Sequence, residues 1–241
     1  MFNPNPKIQL VPIADHLPCI VIDDFLLDPQ AVVNDAIKSR DAFVKNPRTV
    51  YPGYEKHMSE TFSSSLSDFF IQHVRSRLGG RRIQKMNSRL SMVTLQPHEL
   101  SPYQRVCHRD YFTYNPAQCL AASVLYLFQD PTMGGTSFYA PKIPESEIQR
   151  LGSADCPWKN LSSDEFTELL GGPPAYQTTS NKYFELICTV PAAWNRVIFY
   201  DGGIFHAAHV TAPSRLSAEP AHGRLTLNGF FVCSRTAGSA T

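Results

Sequence analysis

The sequence predicts a mainly β protein with a helical N-terminal third (α+β), folded as a double-sheet jelly roll. Two observations lead to this fold class: two helical patterns precede residue 88, and about eight short strand-like segments follow it up to residue 232. The chain has 241 residues, no internal repeat and no long linker. We therefore expect a single domain over residues 1–241, with helical support at 1–87 and the jelly-roll core at 88–232.

The N-terminal part begins with an apolar run, residues 19–26, that predicts a buried strand ending in a turn. Asp28 and Pro29 then provide an N-cap and a first-turn proline for a helix over about 29–40. A second helix is expected after Ser59, where apolar residues recur on one helical face. Residues 51–57 show no regular period and are interpreted as a loop between the two helices.

Alternating and apolar runs predict the strands of the core. A capping box from Ser162 to Glu165 predicts a short helix ending at Gly171. Short turns predict that two pairs of strands form hairpins, 122–128 with 136–139 and 196–200 with 204–208. The other expected strands are 88–95, 104–110, 184–190 and 224–232.

The overall charge gives no sign of a strongly charged partner such as a nucleic acid or a membrane surface. There are 22 basic and 21 acidic residues, a formal net charge of +1, so we expect no nucleic-acid partner and no membrane association. The six cysteines form no C-x-x-C pair, and the N-terminus lacks a signal-peptide pattern. We expect a cytoplasmic protein with reduced thiols, while the oligomeric state stays open.

A candidate metal site follows from His108 and Asp110. On a strand, residues i and i+2 point to the same face, so this imidazole and this carboxylate can share one ion. His206, after a Gly-Gly turn, is the expected third ligand; His209 is the alternative, but it faces the other way on a strand. Two histidines and one carboxylate on one side of an octahedral ion leave the opposite positions open for cosubstrate and oxygen.

A clamp for a carboxylate is the second candidate feature. Arg224 opens the last expected strand, and Thr226, two residues on, shares its face and can donate a hydroxyl to the same group. Arg215 with Ser217 offers a similar spacing and competes with Arg224. It lies in the Pro-, Ser- and Ala-rich segment 211–223, which is typical of a loop, so Arg224 is preferred.

These motifs resemble the 2-oxoglutarate/Fe(II)-dependent dioxygenases, in particular their prolyl-4-hydroxylase-like branch. The resemblance covers about residues 88–232 and depends on the order and spacing of four segments: His108-Arg109-Asp110, residues 125–139, residues 195–206, and Arg224-Leu225-Thr226. It implies a double-stranded β-helix in which His108, Asp110 and His206 are catalytic and bind Fe(II). It also implies that Arg224, Thr226 and, by analogy, Tyr126 bind 2-oxoglutarate, with O2 as the other cosubstrate.

Enzymes of this kind convert 2-oxoglutarate to succinate and CO2 while oxidising a substrate, most often by hydroxylation. The expected substrate is a small amino-acid-like metabolite or a peptide or protein side chain. Polar and aromatic positions that could contact it are Tyr51, Tyr54, Arg89, Tyr111 and Trp194. The retained Asp110 disfavours the halogenating relatives, whereas desaturation stays open. The alternatives are a cupin-like metal enzyme, which needs no Arg224 clamp, and a non-catalytic jelly-roll binding module.

Overall fold

Ten strands form two antiparallel sheets in the computed structural model, which describes residues 1–46, 50–110, 115, 117–151, 156, 158 and 160–235. The larger sheet has the order β1-β2-β8-β5-β10-β4-β3, and the smaller one the order β7-β6-β9. The strands are β1 Ile8–Ile13, β2 His16–Ile22, β3 Gly53–His57, β4 Gly80–Val93, β5 Gln118–Tyr126, β6 Thr136–Pro141, β7 Phe184–Val190, β8 Val197–Asp201, β9 Phe205–Ala208 and β10 Arg224–Arg235. The helices are α1 Pro29–Lys38, α2 Glu60–His73, α3 Glu145–Leu151 and α4 Ser163–Leu170.

The helices begin where the sequence provides caps. Asp28 accepts a hydrogen bond from the Ala31 amide at 2.9 Å, and Ser59 accepts one from the Phe62 amide at 3.2 Å. The predicted capping box of α4 is present, and that helix ends at Gly171 with φ of 77°. In the described part of the chain, no helix is both long and apolar enough to cross a bilayer.

The core lies on both faces of the larger sheet. Helix α2 packs on the outer face, where the Phe70 and Phe231 rings stack with centroids 4.0 Å apart. The inner face packs against the smaller sheet, and Phe138 of β6 contacts Tyr200 of β8 edge-on at 5.1 Å. Two facing antiparallel sheets agree with the predicted jelly roll.

The helical N-terminal third is wrong as a description of residues 1–87. Both helices are present, but this part also contains β1, β2, β3 and the start of β4. Segment 53–57, interpreted as a loop, is strand β3, because its backbone pairs with β4 from Gly53 opposite Val93 to His57 opposite Arg89. Pairing with a distant strand outweighs the local turn signal of Pro52 and Gly53.

The two predicted hairpins are also wrong. Strands β5 and β6 belong to different sheets, as do β8 and β9, so each short connection crosses between the sheets. Segment 104–110 is not a regular strand: a 3-10 helix covers Pro102–Arg105, and only His108 forms a β-bridge, to His206. The chain therefore carries His108 along the free edge of β9.

Candidate metal centre and carboxylate clamp

The backbone brings the three predicted metal ligands together. His108 and His206 are paired directly, with amide-to-carbonyl distances of 3.0 and 2.9 Å, and the Asp110 amide donates to the Gly202 carbonyl at 2.9 Å. The ligand atoms of His108, Asp110 and His206 all lie within 4.8 Å of one another. Asp110 Oδ1 is 3.9 Å from His108 Nε2 and 3.6 Å from His206 Nε2. One divalent ion can be held between the three after small side-chain adjustments.

The chemistry of these donors fits a metal ion. Asp110 Oδ2 is buried and has no hydrogen-bond partner among the described residues, and burial raises the pKa of this carboxyl to about 6. A cation would satisfy that oxygen and favour the ionised form. His206 Nδ1 lies 2.8 Å from the Ile204 carbonyl, so its proton can be donated there and the Nε2 lone pair is left for a metal. Burial lowers the pKa of His206 to about 4, which keeps the imidazole neutral as a ligand must be.

Gly202 has a role that the sequence reasoning missed. A Cβ at this position would lie 2.7 Å from Asp110 Oδ2, so only glycine lets the Asp110 side chain sit against the turn between β8 and β9. The Gly-Gly pair before His206 was the available signal, but it was interpreted only as a turn.

Arg224 is buried at the start of β10, with 3% of its surface exposed. Its Nε donates to the Met133 carbonyl at 3.0 Å, and its Nη2 donates to the carbonyls of Gly134 and Gly135 at 3.4 and 2.8 Å. These bonds fix the guanidinium in the interior. Arg215, the competing residue, ends a 3-10 helix, is two-thirds exposed and lies 3.3 Å from Asp130. The geometry favours Arg224 as an interior cation.

Thr226 and Tyr126 lie beside Arg224. They are directly opposite each other on β10 and β5, and both are buried. The Tyr126 hydroxyl is hydrogen-bonded to Thr136 Oγ1 at 2.8 Å, and Thr226 Oγ1 donates to the Ser91 carbonyl at 3.3 Å. Burial raises the pKa of Tyr126, so its hydroxyl keeps its proton.

Tyr200 connects the two groups. Its ring contacts His206 edge-on at a centroid distance of 4.8 Å and belongs to the same core cluster as Tyr126. The Arg224 guanidinium lies over the ring of Phe128, another member of that cluster, at 5.5 Å. His206 and Arg224 therefore contact one interior cluster.

Most of the other sequence-predicted positions are dispersed, whereas Tyr51 packs against the cluster that contains Val93, the strand partner of Arg224. His209 lies beyond the centre, with Nδ1 hydrogen-bonded to Ser137 Oγ at 2.7 Å. Tyr54 and Trp194 pack against the outer core, and Tyr111 lies outside the described residues. Arg89 forms an ion pair with Glu55 of β3. Glu55 was not predicted as a site residue, because residues 51–57 were expected to form a loop.

Fold and site together define a mainly β protein with a two-histidine, one-carboxylate centre, in which His206 is buried and the His108 side chain is about half exposed. The chain belongs to DUF6445, a family of unknown function, whose model matches residues 4–231. Among curated proteins, none matches this chain.

Three solved structures illustrate what the chain is similar to. A prolyl-4-hydroxylase from Pseudomonas putida is 14% identical over 93% of this chain and 96% of its own, with a TM-score of 0.46. The non-haem alpha-ketoglutarate-dependent epimerase SnoN from nogalamycin biosynthesis is 12% identical over 92% and 82%, with a TM-score of 0.46. HygX from Streptomyces hygroscopicus, with nickel and 2-oxoglutarate bound, is 10% identical over 90% and 82%, with a TM-score of 0.45. Similarity at this level does not by itself assign an activity.

Proposed function

We propose that the protein is a non-haem Fe(II)/2-oxoglutarate-dependent dioxygenase that hydroxylates its substrate. One observation carries the proposal: the ligand atoms of His108, Asp110 and His206 lie within 4.8 Å of one another, and His206 and the buried cation Arg224 contact the same core cluster. A metal enzyme that uses no anionic cosubstrate has no need of a buried guanidinium at that place. The motif resemblance to the prolyl-4-hydroxylase-like oxygenases supports the same function.

Each group then has a defined role. His108, Asp110 and His206 would hold Fe(II) on one side and leave the opposite side open. Arg224 would bind the distal carboxylate of 2-oxoglutarate, with Thr226 and Tyr126 donating hydroxyl hydrogen bonds. With Fe(II) bound, the site supplies the oxidising chemistry: 2-oxoglutarate, O2 and a substrate C–H give succinate, CO2 and a substrate C–OH.

The proposal treats the chain as one oxygenase domain over residues 1–241. The proposed substrate is a small amino-acid-like molecule or a peptide or protein side chain. The proposed location is cytoplasmic, with no nucleic-acid or membrane partner.

The test is anaerobic addition of Fe(II) and 2-oxoglutarate to the purified protein. We expect a weak visible metal-to-ligand charge-transfer band in the wild type and its loss in Asp110→Ala, because the ion loses its charged ligand. Asp68→Ala, a change at an exposed carboxylate on α2, serves as the matched control and should keep the band. A wild-type protein that binds Fe(II) but shows no band with 2-oxoglutarate would refute the proposed function.

A further inference from the structure

A partly buried ion pair lies on the inner face of the larger sheet, two residues along β4 from Ser91, the strand partner of Thr226. Arg89 Nε is 2.8 Å from Glu55 Oε1, and the two side chains are 19% and 5% exposed. Their strands, β4 and β3, are paired, and the flanking residues Leu90 and Met92 pack into the outer core. Since side chains alternate along a strand, Arg89 must face inward. A buried ion pair adds little net stability, so its position is a better guide to its role.

Arg89 is held in a fixed orientation. Besides the contact with Glu55, its guanidinium carbon lies 4.6 Å from the centroid of the Phe230 ring. No residue in the described part of the chain accepts a hydrogen bond from its two terminal nitrogens, and the contact of Nε with Glu55 is an ion pair without hydrogen-bond geometry. The outer fork of the guanidinium is thus available to a ligand, and a planar fork matches a carboxylate in bidentate geometry.

Asn228 provides a second polar group beside this fork. It lies directly opposite Arg89 across β10 and β4, and its side chain is more than nine-tenths buried. Its Oδ1 has no hydrogen-bond partner within the described ranges. Buried polar atoms are nearly always paired in folded proteins, so an orphan amide at the edge of a site points to a missing ligand.

The position of this pair separates it from the clamp but not from the metal centre. Asn228 shares one face of β10 with Thr226 and Arg224, but Arg89 lies on the β4 side of β10, whereas Tyr126 of the clamp lies on the β5 side. The Phe230 ring next to Arg89 lies in the same row of the inner face as Tyr200, whose ring contacts His206 at 4.8 Å, so the guanidinium and the candidate metal centre are on one face of the sheet. A group bound between Arg89 and Asn228 would therefore reach the metal centre from a side that the clamp leaves open.

We propose that Arg89 and Asn228 bind the carboxylate and a neighbouring N–H of the substrate, which makes the substrate an amino-acid-like carboxylic acid. Glu55 acts as a positioning residue that holds the Arg89 guanidinium. This inference rests on the proposed function, because it assigns the substrate of that same site. The competing reading, in which Arg89 contacts 2-oxoglutarate itself, is distinguished by the experiment.

The experiment uses the full chain and a panel of L-amino acids, each with its α-carboxamide as the uncharged counterpart. Binding is measured first as the increase in Tm in the presence of Zn(II) and 2-oxoglutarate, which allow no turnover. Succinate formation with Fe(II) is measured second. We expect at least one amino acid to raise Tm and stimulate succinate formation, and its carboxamide to bind at least about tenfold more weakly.

Arg89→Gln should abolish the preference for the acid over the carboxamide, while the Kd for 2-oxoglutarate changes by less than about twofold. Arg82→Gln, on an exposed position of the same strand, is the matched control and should behave as wild type. If Arg89→Gln does not fold, as judged by circular dichroism, Asn228→Ser and Glu55→Gln are tested for the same loss of preference.

Three outcomes would overturn the inference: no amino acid binds, acid and carboxamide bind equally, or Arg89→Gln weakens 2-oxoglutarate binding tenfold or more. The charge-transfer band of the wild type distinguishes a failure of this inference from a failure of the proposed function. A protein that shows the band and no preference for acids is an oxygenase with a different substrate; a protein without the band is not the proposed oxygenase.

Discussion

Two matched substitutions, Arg224→Gln and Arg215→Gln, identify the arginine that binds the distal carboxylate of 2-oxoglutarate. Arg224 is 3% exposed and fixed by three backbone carbonyls, whereas Arg215 is two-thirds exposed and lies near Asp130. Arg224 contacts the interior cluster that His206 also contacts. Glutamine removes the charge in both variants and keeps one amide donor.

The size of the effect follows from the bonds that are lost. A hydrogen bond to a charged group contributes roughly 1.5–3 kcal/mol. Losing the charge-assisted contact of Arg224 should therefore weaken 2-oxoglutarate binding by about 3 kcal/mol, on the order of 100-fold in Kd. The same substitution leaves buried carbonyls of residues 133–135 with fewer donors, so the free energy of unfolding should fall by about 2–4 kcal/mol. Arg215→Gln should change neither quantity.

The assay is calorimetric titration of 2-oxoglutarate into protein loaded with Zn(II), after denaturant unfolding has shown that each variant is folded. Thr226→Val, nearly the same shape as the wild type, is a milder companion that removes one hydroxyl donor and should raise Kd by about tenfold. A normal Kd in a folded Arg224→Gln variant, or a raised Kd in Arg215→Gln, would refute the assignment of the clamp.

Three further predictions concern the metal ligands, the core and a strained turn. His206→Ala should weaken Zn(II) binding at least about 100-fold in a chelator competition, while His209→Ala should not, because His209 lies outside the centre; equal effects would contradict the ligand set. Phe231→Ala should lower the free energy of unfolding in urea by about 3–5 kcal/mol, because the ring is fully buried and stacked on α2; a loss below 1 kcal/mol would contradict this packing. Asn195 has φ of 59° and bonds both backbone groups of Leu26 at 2.9 Å, so in urea unfolding Asn195→Ala should be less stable than Asn195→Gly by about 1 kcal/mol, and the reverse order would show that φ is not the cause.

The sequence predicted strand β10, which carries Arg224 and Thr226, because side-chain alternation is a local signal. The strand predicted at 104–110 is absent, and His108 is held instead by its bridge to His206. The Asp28 and Ser59 caps likewise act within a few residues, and both helices begin where expected. The ligand atoms of His108, Asp110 and His206 lie within 4.8 Å of one another, and their role as metal ligands stays a prediction.

The pairing of strands could not be predicted in the same way. The connections from β5 to β6 and from β8 to β9 are as short as hairpin loops, yet each crosses to the opposite sheet. A short connection forms a hairpin or crosses between sheets according to which distant strand pairs with each edge, as β10 pairs with β5. No local sequence pattern encodes this long-range pairing. For the same reason the sequence did not predict strand β3, and the position of Glu55 beside Arg89 was therefore not expected.

The interior of this protein is more polar than folding alone requires. Asp110, Arg224 and the Arg89–Glu55 pair are all held in the interior, where each charge loses hydration that its neighbours restore only in part. The net stability of a domain is about 5–15 kcal/mol, so several such groups in one space are a substantial burden on folding. Their charges are also arranged in a definite order: a carboxylate near two imidazoles, one guanidinium on β10 bonded to the carbonyls of residues 133–135, and another on β4. The proposed metal cation and the two proposed carboxylates, one from the cosubstrate and one from the substrate, would complement these charges group by group.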